Sequence, residues 1–174
     1  MQKSLYLVVA CLVLANVLAV PGYTPEATYD QKENPKTSND SVPLSREDAV
    51  RESVFKYQVE RTASDLQGKD VVFFLSLAEG ADPSDALLAR FADRHPPVKG
   101  VSESIRKNDG IADKKTGKKG FIIGIASIKW ISETEAEVEG WQYEGPLGAS
   151  GSVYKLLYEK GQWGVTKRDM KWIS

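Results

Sequence analysis

The sequence predicts an α+β domain in which a curved antiparallel β-sheet packs against two N-terminal helices. The C-terminal part of that sheet is a meander of four or more strands. Three observations predict it. Apolar residues recur at helical spacing after Ser45, and a second helix start stands at residues 82–85. From Phe121 onward the pattern changes to short apolar or alternating runs separated by turn residues.

The first helix opens at Ser45-Arg46-Glu47-Asp48, a capping-box-like start in which Ser45 can satisfy an orphan backbone donor. Val50, Val54, Tyr57 and Arg61 follow at helical spacing beside Phe55, Val59 and Thr62, and Gly68 suits the stop. Residues 71–78 (VVFFLSLA) form a continuous apolar run and read as a buried strand. Asp82-Pro83-Ser84-Asp85 starts the second helix, with Asp82 expected as its cap. Leu87, Leu88 and Phe91 make its buried stripe, and His95-Pro96-Pro97 is its expected end. A short extended piece at 98–104 leads into 105–120, which reads as a loop of Lys, Asp, Asn and Gly.

Strands are then expected at 121–131, 135–143, 152–158 and 163–167, with 170–173 as an extension. Residues 121–128 are apolar on both faces, so that strand should be central and covered. Glu135-Ala136-Glu137-Val138-Glu139 alternates, which gives the sheet a wet side there.

Ahead of the domain (residues 45–174), residues 1–19 have the pattern of a secretory signal peptide. Lys3 is followed by an apolar run and then by the small residues of Val17-Leu18-Ala19. Residues 20–44 are polar and Pro-containing and read as a flexible linker, in which Asn39-Asp40-Ser41 fits a glycosylation acceptor. The expected location is therefore outside the cytoplasm, periplasmic or secreted, with no transmembrane span after cleavage. Retention of the apolar segment as an anchor, or lipidation at Cys11 after Val8-Val9-Ala10, are the alternatives. Cys11 is the single cysteine, so a domain starting at Ser45 has no disulfide, no thiolate nucleophile and no thiolate metal site.

The chain holds 23 basic and 24 acidic residues. Leaving out Lys3, Lys32 and Lys36 and Glu26, Asp30, Glu33 and Asp40, the domain carries 20 of each. Such a balance creates no global field to gather nucleic acid or an anionic membrane, and no nucleic-acid partner is expected.

The final hairpin, from Tyr154 to Val165 (YKLLYEKGQWGV), pairs an apolar strand with a charged glycine turn and a Trp-x-Val strand. With the order of elements, it resembles the NTF2-like (cystatin-like) superfamily. The segments Ile128–Ser132 and Trp172–Ser174 also look like secreted bacterial proteins of no assigned activity. The superfamily resemblance implies helices on a curved sheet enclosing a cone-shaped pocket. Its members include both enzymes and non-catalytic binding modules.

Several residues invite chemistry. His95 is the only histidine and could act as a base, although Pro96 and Pro97 mark a surface turn. One imidazole cannot build a His-rich metal site, and no metal or cofactor is expected. Glu135, Glu137 and Glu139 form a carboxylate row better read as a solvated strand face than as a cation site. Arg106, Lys107, Lys114, Lys115, Lys118 and Lys119 make a basic segment that could meet an anionic polymer, or simply be a solvated loop. Trp130, Trp141, Trp163 and Trp172, with Tyr143, Tyr154 and Tyr158, could line an aromatic pocket or a carbohydrate-type platform. Strict alternation puts Trp141 and Tyr143 on the wet face with the glutamates, whereas a bulge at Gly140 would turn them inward. Residues 145–151 lack the features of a phosphate loop or a nucleophile elbow and read as a hairpin connection.

The expected function is a non-catalytic module of the cell envelope or extracellular space that binds a small ligand or a protein, with Trp141, Tyr143 and Glu144 as its surface. A small enzyme using Asp169 or His95 as base, with Tyr143 as helper, is the first alternative. Attachment to an anionic polymer through residues 106–119 is the second. The open edge of the meander makes a homodimer through the sheet conceivable.

Overall fold

A computed structural model describes residues 43–146 and 148–174. The expected signal peptide, the linker up to residue 42, Cys11, the Asn39 acceptor and Leu147 lie outside the described residues.

Helix α1 (Arg46–Leu66) starts as its sequence requires, the Ser45 hydroxyl oxygen accepting the Asp48 N–H at 3.0 Å. Val50, Val54, Phe55, Gln58 and Val59 form its buried stripe. It ends where Gln67 turns left-handed, followed by Gly68 at φ +79°. β1 (Val72–Ser76) is buried along its whole length.

Helix α2 is only Asp85–Ala89, and its cap is Ser84 rather than Asp82. The Ser84 oxygen accepts the Leu87 N–H at 3.2 Å, while its hydroxyl donates to Asp48 at 2.8 Å and so ties the starts of the two helices together. Asp82 lies two residues too early to reach that turn. It accepts instead from the Ser102 N–H and hydroxyl, bracing the single turn at Val101–Glu103. The helix stops well short of Pro96, and tighter i→i+3 bonds carry the chain on to Arg94.

β2 (Val98–Gly100) lies parallel to β1. The stretch expected to be a loop after Ile105 instead contains a hairpin, β3 (Ser104–Lys107) and β4 (Gly110–Asp113), and β5 (Lys119–Trp130) begins directly after the next turn. Its charged residues hid the hairpin, because only Ile111 and Ala112 of β4 reach apolar burial. β6 (Glu135–Gly145), β7 (Gly148–Glu159) and β8 (Gln162–Ile173) complete the meander. The turn between β7 and β8 places Lys160 and Gly161 at φ +51° and +84°, the mirror-image geometry that matches strand twist.

The main strand order is β2-β1-β5-β6-β7-β8, with β4 joined to the first residues of β5 and β3 to β4. The sheet is mostly antiparallel, and β1 alone runs parallel to both its neighbours. On one face α1 and α2 bury Phe73, Leu75, Ile123, Ile125, Val138, Tyr154 and Leu156 against Val54, Phe55, Leu87 and Phe91. On the other face Val72, Phe74, Ile111 and Ile122 form a smaller cluster where the β3–β4 hairpin folds back, with Val101, Trp141 and Tyr143 at its edge. No helix among the described residues is long and apolar enough to cross a membrane.

Candidate functional site

Cross-strand register decides which face each aromatic residue occupies. Residues paired directly across antiparallel strands share a face. Ile125 pairs with Gly140 and Ser127 with Glu139, so the irregularity sits at Ala126 of β5 and not at Gly140. Alternation therefore runs unbroken through β6. Trp141 and Tyr143 share a face with Glu135, Glu137 and Glu139, away from α1, and both are half-buried. Glu144 stands at a second irregularity, between Tyr143 and Gly145. It lines a shallow depression on the helix side with Gln142, Arg61 and Phe121. Trp141 and Tyr143 thus belong together, and Glu144 does not join them.

The four tryptophans divide evenly between the faces. Trp130 and Trp163 lie on the helix side with ring centroids 5.7 Å apart, and Tyr158 stands 5.4 Å from Trp163. The Arg46 guanidinium lies 4.1 Å from the Trp130 ring centre and donates to the carbonyls of Ser132 and Glu133. Beside this cluster a cleft of about 820 Å³ opens between the outer side of α1 and the β7–β8 hairpin. Tyr57, Trp163 and Val165 are among its apolar lining, and Arg46, Glu52, Lys56, Glu60, Arg90 and Glu133 contribute charge of both signs. Sequence reasoning missed this cleft, because it joins residues roughly a hundred positions apart. The helical spacing of Ser53, Tyr57 and Glu60 was the available signal.

On the opposite face, Gly124, Trp141, Gly151 and Trp172 form one row across β5, β6, β7 and β8. A Cβ on Gly124 would stand 2.1–2.5 Å from the Trp141 indole atoms Cε2, Nε1 and Cζ2. One on Gly151 would stand 2.2–2.9 Å from the same atoms of Trp172. Each indole therefore lies across the glycine of the preceding strand, a bed that any side chain would fill. Neighbouring rows carry Ser127 and Glu139 (3.2 Å) with Asp169 on one side, and Tyr143 on the other with the Arg106 guanidinium 4.8 Å from its ring centre.

The basic segment is largely engaged in structure. The Lys114 ammonium donates to the Ser102 carbonyl, Lys118 pairs with Asp70 at 2.7 Å, and Lys119 lies over the Phe121 ring. Arg106 stacks on Tyr143; all six cations are exposed, and the Lys107 and Lys115 ammonium groups are the two without a described side-chain contact. Buried Asp113 organises the turn. It accepts from the N–H groups of Lys115 and Thr116 and from the Thr116 hydroxyl, and its other oxygen meets Lys99 at 2.8 Å. The Lys99 ammonium and the Thr116 donors hold its carboxyl down at about 2.

The acid–base candidates stay apart. Asp169 is a surface residue paired with Lys167 at 2.9 Å, which lowers its pKa rather than raising it. It pairs with Val153 and Tyr143 pairs with Ala149, four residues along β7 and on opposite sides of it, a separation of about 16 Å. His95 stands in the turn after α2, far along the chain from both. Glu137 meets Lys155 across the strands at 3.3 Å, and no cluster of three or more potential metal ligands occurs among the described residues.

No family model matches this chain, and no curated protein or solved structure matches it either.

Proposed function

We propose that the domain is a non-catalytic binding module of an exported protein, and that it takes a segment of an envelope or extracellular protein into the cleft between α1 and the β7–β8 hairpin. The single observation that carries this reading is the make-up of the cleft. An apolar and aromatic floor of Tyr57, Trp163 and Val165 is rimmed by charges of both signs in an open volume of about 820 Å³. That is a surface for an amphipathic polypeptide, whose side chains supply apolar anchors and both kinds of charge. The likeness of the closing hairpin to the NTF2-like superfamily, whose members include non-catalytic binding modules, supports the class of function and not the place of the site.

The test is two-dimensional NMR of the isotope-labelled protein titrated with a mixed library of amphipathic peptides. The reading expects shift changes at Tyr57, Trp163 and Val165, and their loss in Tyr57→Ala. Changes confined to the opposite sheet face, or none with any peptide, would rule the cleft out as the site.

A further inference from the structure

The row Gly124–Trp141–Gly151–Trp172 lies on the face opposite the cleft and is independent of it. We propose that it is a carbohydrate-binding surface on which Trp141 and Trp172 stack the rings of an extended, uncharged glycan.

Shape is the first requirement for such a ligand. An indole bedded on glycine presents its second ring face outward and parallel to the sheet, and here two such rings stand in one row. Trp172, the next-to-last residue of β8, is 50 % exposed, and Trp141 is half-buried. Two strand spacings separate them, about 9.6 Å, the scale on which alternate sugars of an extended β-linked chain repeat. The electron-rich ring face attracts the weakly positive C–H groups that line one side of a pyranose.

Charge then selects among flat ligands. The adjoining row carries Ser127, Glu139 and Asp169, and Asp169 is already paired with Lys167. Carboxylates and hydroxyls beside the indole row suit the hydroxyl rim of a sugar. The cations on this face do not line the indole row. Lys155 and Lys167 are paired with Glu137 and Asp169, and Arg106 stacks on Tyr143. A nucleic-acid strand or an acidic polysaccharide therefore finds no free run of cations along it. A lipid surface would strip water from Glu137, Glu139, Lys155 and Asp169 on the same face with no hydrogen bonds in return. A neutral polyol meets both requirements. The pattern also accounts for two glycines inside otherwise well-formed strands, where a glycine weakens a strand unless something must approach closely.

The four tryptophans supply the readout, because each indole N–H gives its own NMR signal. Cellohexaose and chitohexaose are titrated to about 10 mM against the full chain, with polygalacturonate as the anionic control. The expected result is movement of the Trp141 and Trp172 signals with at least one neutral hexaose, while Trp130 and Trp163 stay still. Trp172→Ala should weaken binding about tenfold or more and Trp172→Phe should restore most of it. Unmoved Trp130 and Trp163 signals in both variants establish that the fold is intact. No movement with either hexaose overturns the proposal. So do equal movement with polygalacturonate, shifts confined to Trp130 and Trp163, or unchanged affinity in Trp172→Ala.

Discussion

At the scale of single residues, the helix-free face depends on what is missing from Gly124 and Gly151. A side chain at Gly124 must displace the half-buried Trp141 ring, which is held between strands and the Ile111–Ile122 cluster. We expect Gly124→Val to destabilise the protein by about 1–3 kcal/mol. Gly151→Val should cost less, because Trp172 is at the sheet edge and half-exposed and can swing away. Urea titrations of both variants decide it, and equal losses would contradict the bedding. Gln58 offers the opposite case. Its amide is 1 % exposed, with neither the oxygen nor the nitrogen hydrogen-bonded. Gln58→Met keeps the shape and removes the stranded polar atoms, and should stabilise by about 1 kcal/mol. A lower unfolding midpoint in that variant would show that the amide has a role this geometry lacks.

At the scale of elements, the five-residue α2 is too short to persist on its own and depends on its cap and its packing. Ser84 both caps α2 and donates to Asp48 of α1, so Ser84→Ala removes two bonds. The expected loss is about 1–2 kcal/mol, against about 1 kcal/mol for a simple N-cap deletion. A double-mutant cycle with Asp48→Ala reads the shared part, and additivity would show that the helix-to-helix bond contributes nothing. β8 is an edge of a different kind. Register breaks at Thr166 and Lys171, and Lys167, Arg168 and Lys171 line it, so the strand is poorly made for pairing with a second copy.

At the scale of the whole molecule, the two faces of one sheet carry different surfaces, a cleft on the helix side and a flat indole row on the other. The turn that carries the chain from β4 into β5 is secured by Asp113 and Lys99, which brings in a pH dependence. Asp113 has a folded pKa of about 2 against an ordinary 3.8. Its stabilisation is therefore fully present above about pH 4 and is lost as pH falls through that range toward 2. Lys99 is raised, first by Asp113 and then by Glu103, so its share is complete below 10.5 and is lost as pH rises through its folded value. Denaturant unfolding followed from neutral pH to about pH 2 should show a loss that is reduced in Asp113→Asn. An identical acid slope in the variant would place the acid sensitivity elsewhere.

Local signals determined the elements. The Ser45 cap, the helical stripe from Val50, the apolar run of β1 and the four meander strands were legible because they rest on backbone propensity and side-chain period. The β3–β4 hairpin was not, since its charged residues mask a strand whose burial comes from Val72 and Ile122, distant in the chain. The Asp82 cap was misplaced for a related reason, because its true partner, Ser102, is twenty residues away. The tryptophans could be named as the conspicuous residues, but the faces of Trp130 and Trp172 followed only from irregularities at Ala126 of β5 and at Thr166 and Lys171 of β8. A period of two assigns relative faces within a strand, whereas register and bulges between strands set which face looks toward the helices. The tertiary structure therefore decided that Trp141 joins Trp172 over two glycines, and that Trp130 and Trp163 stand with Arg46 on the other side.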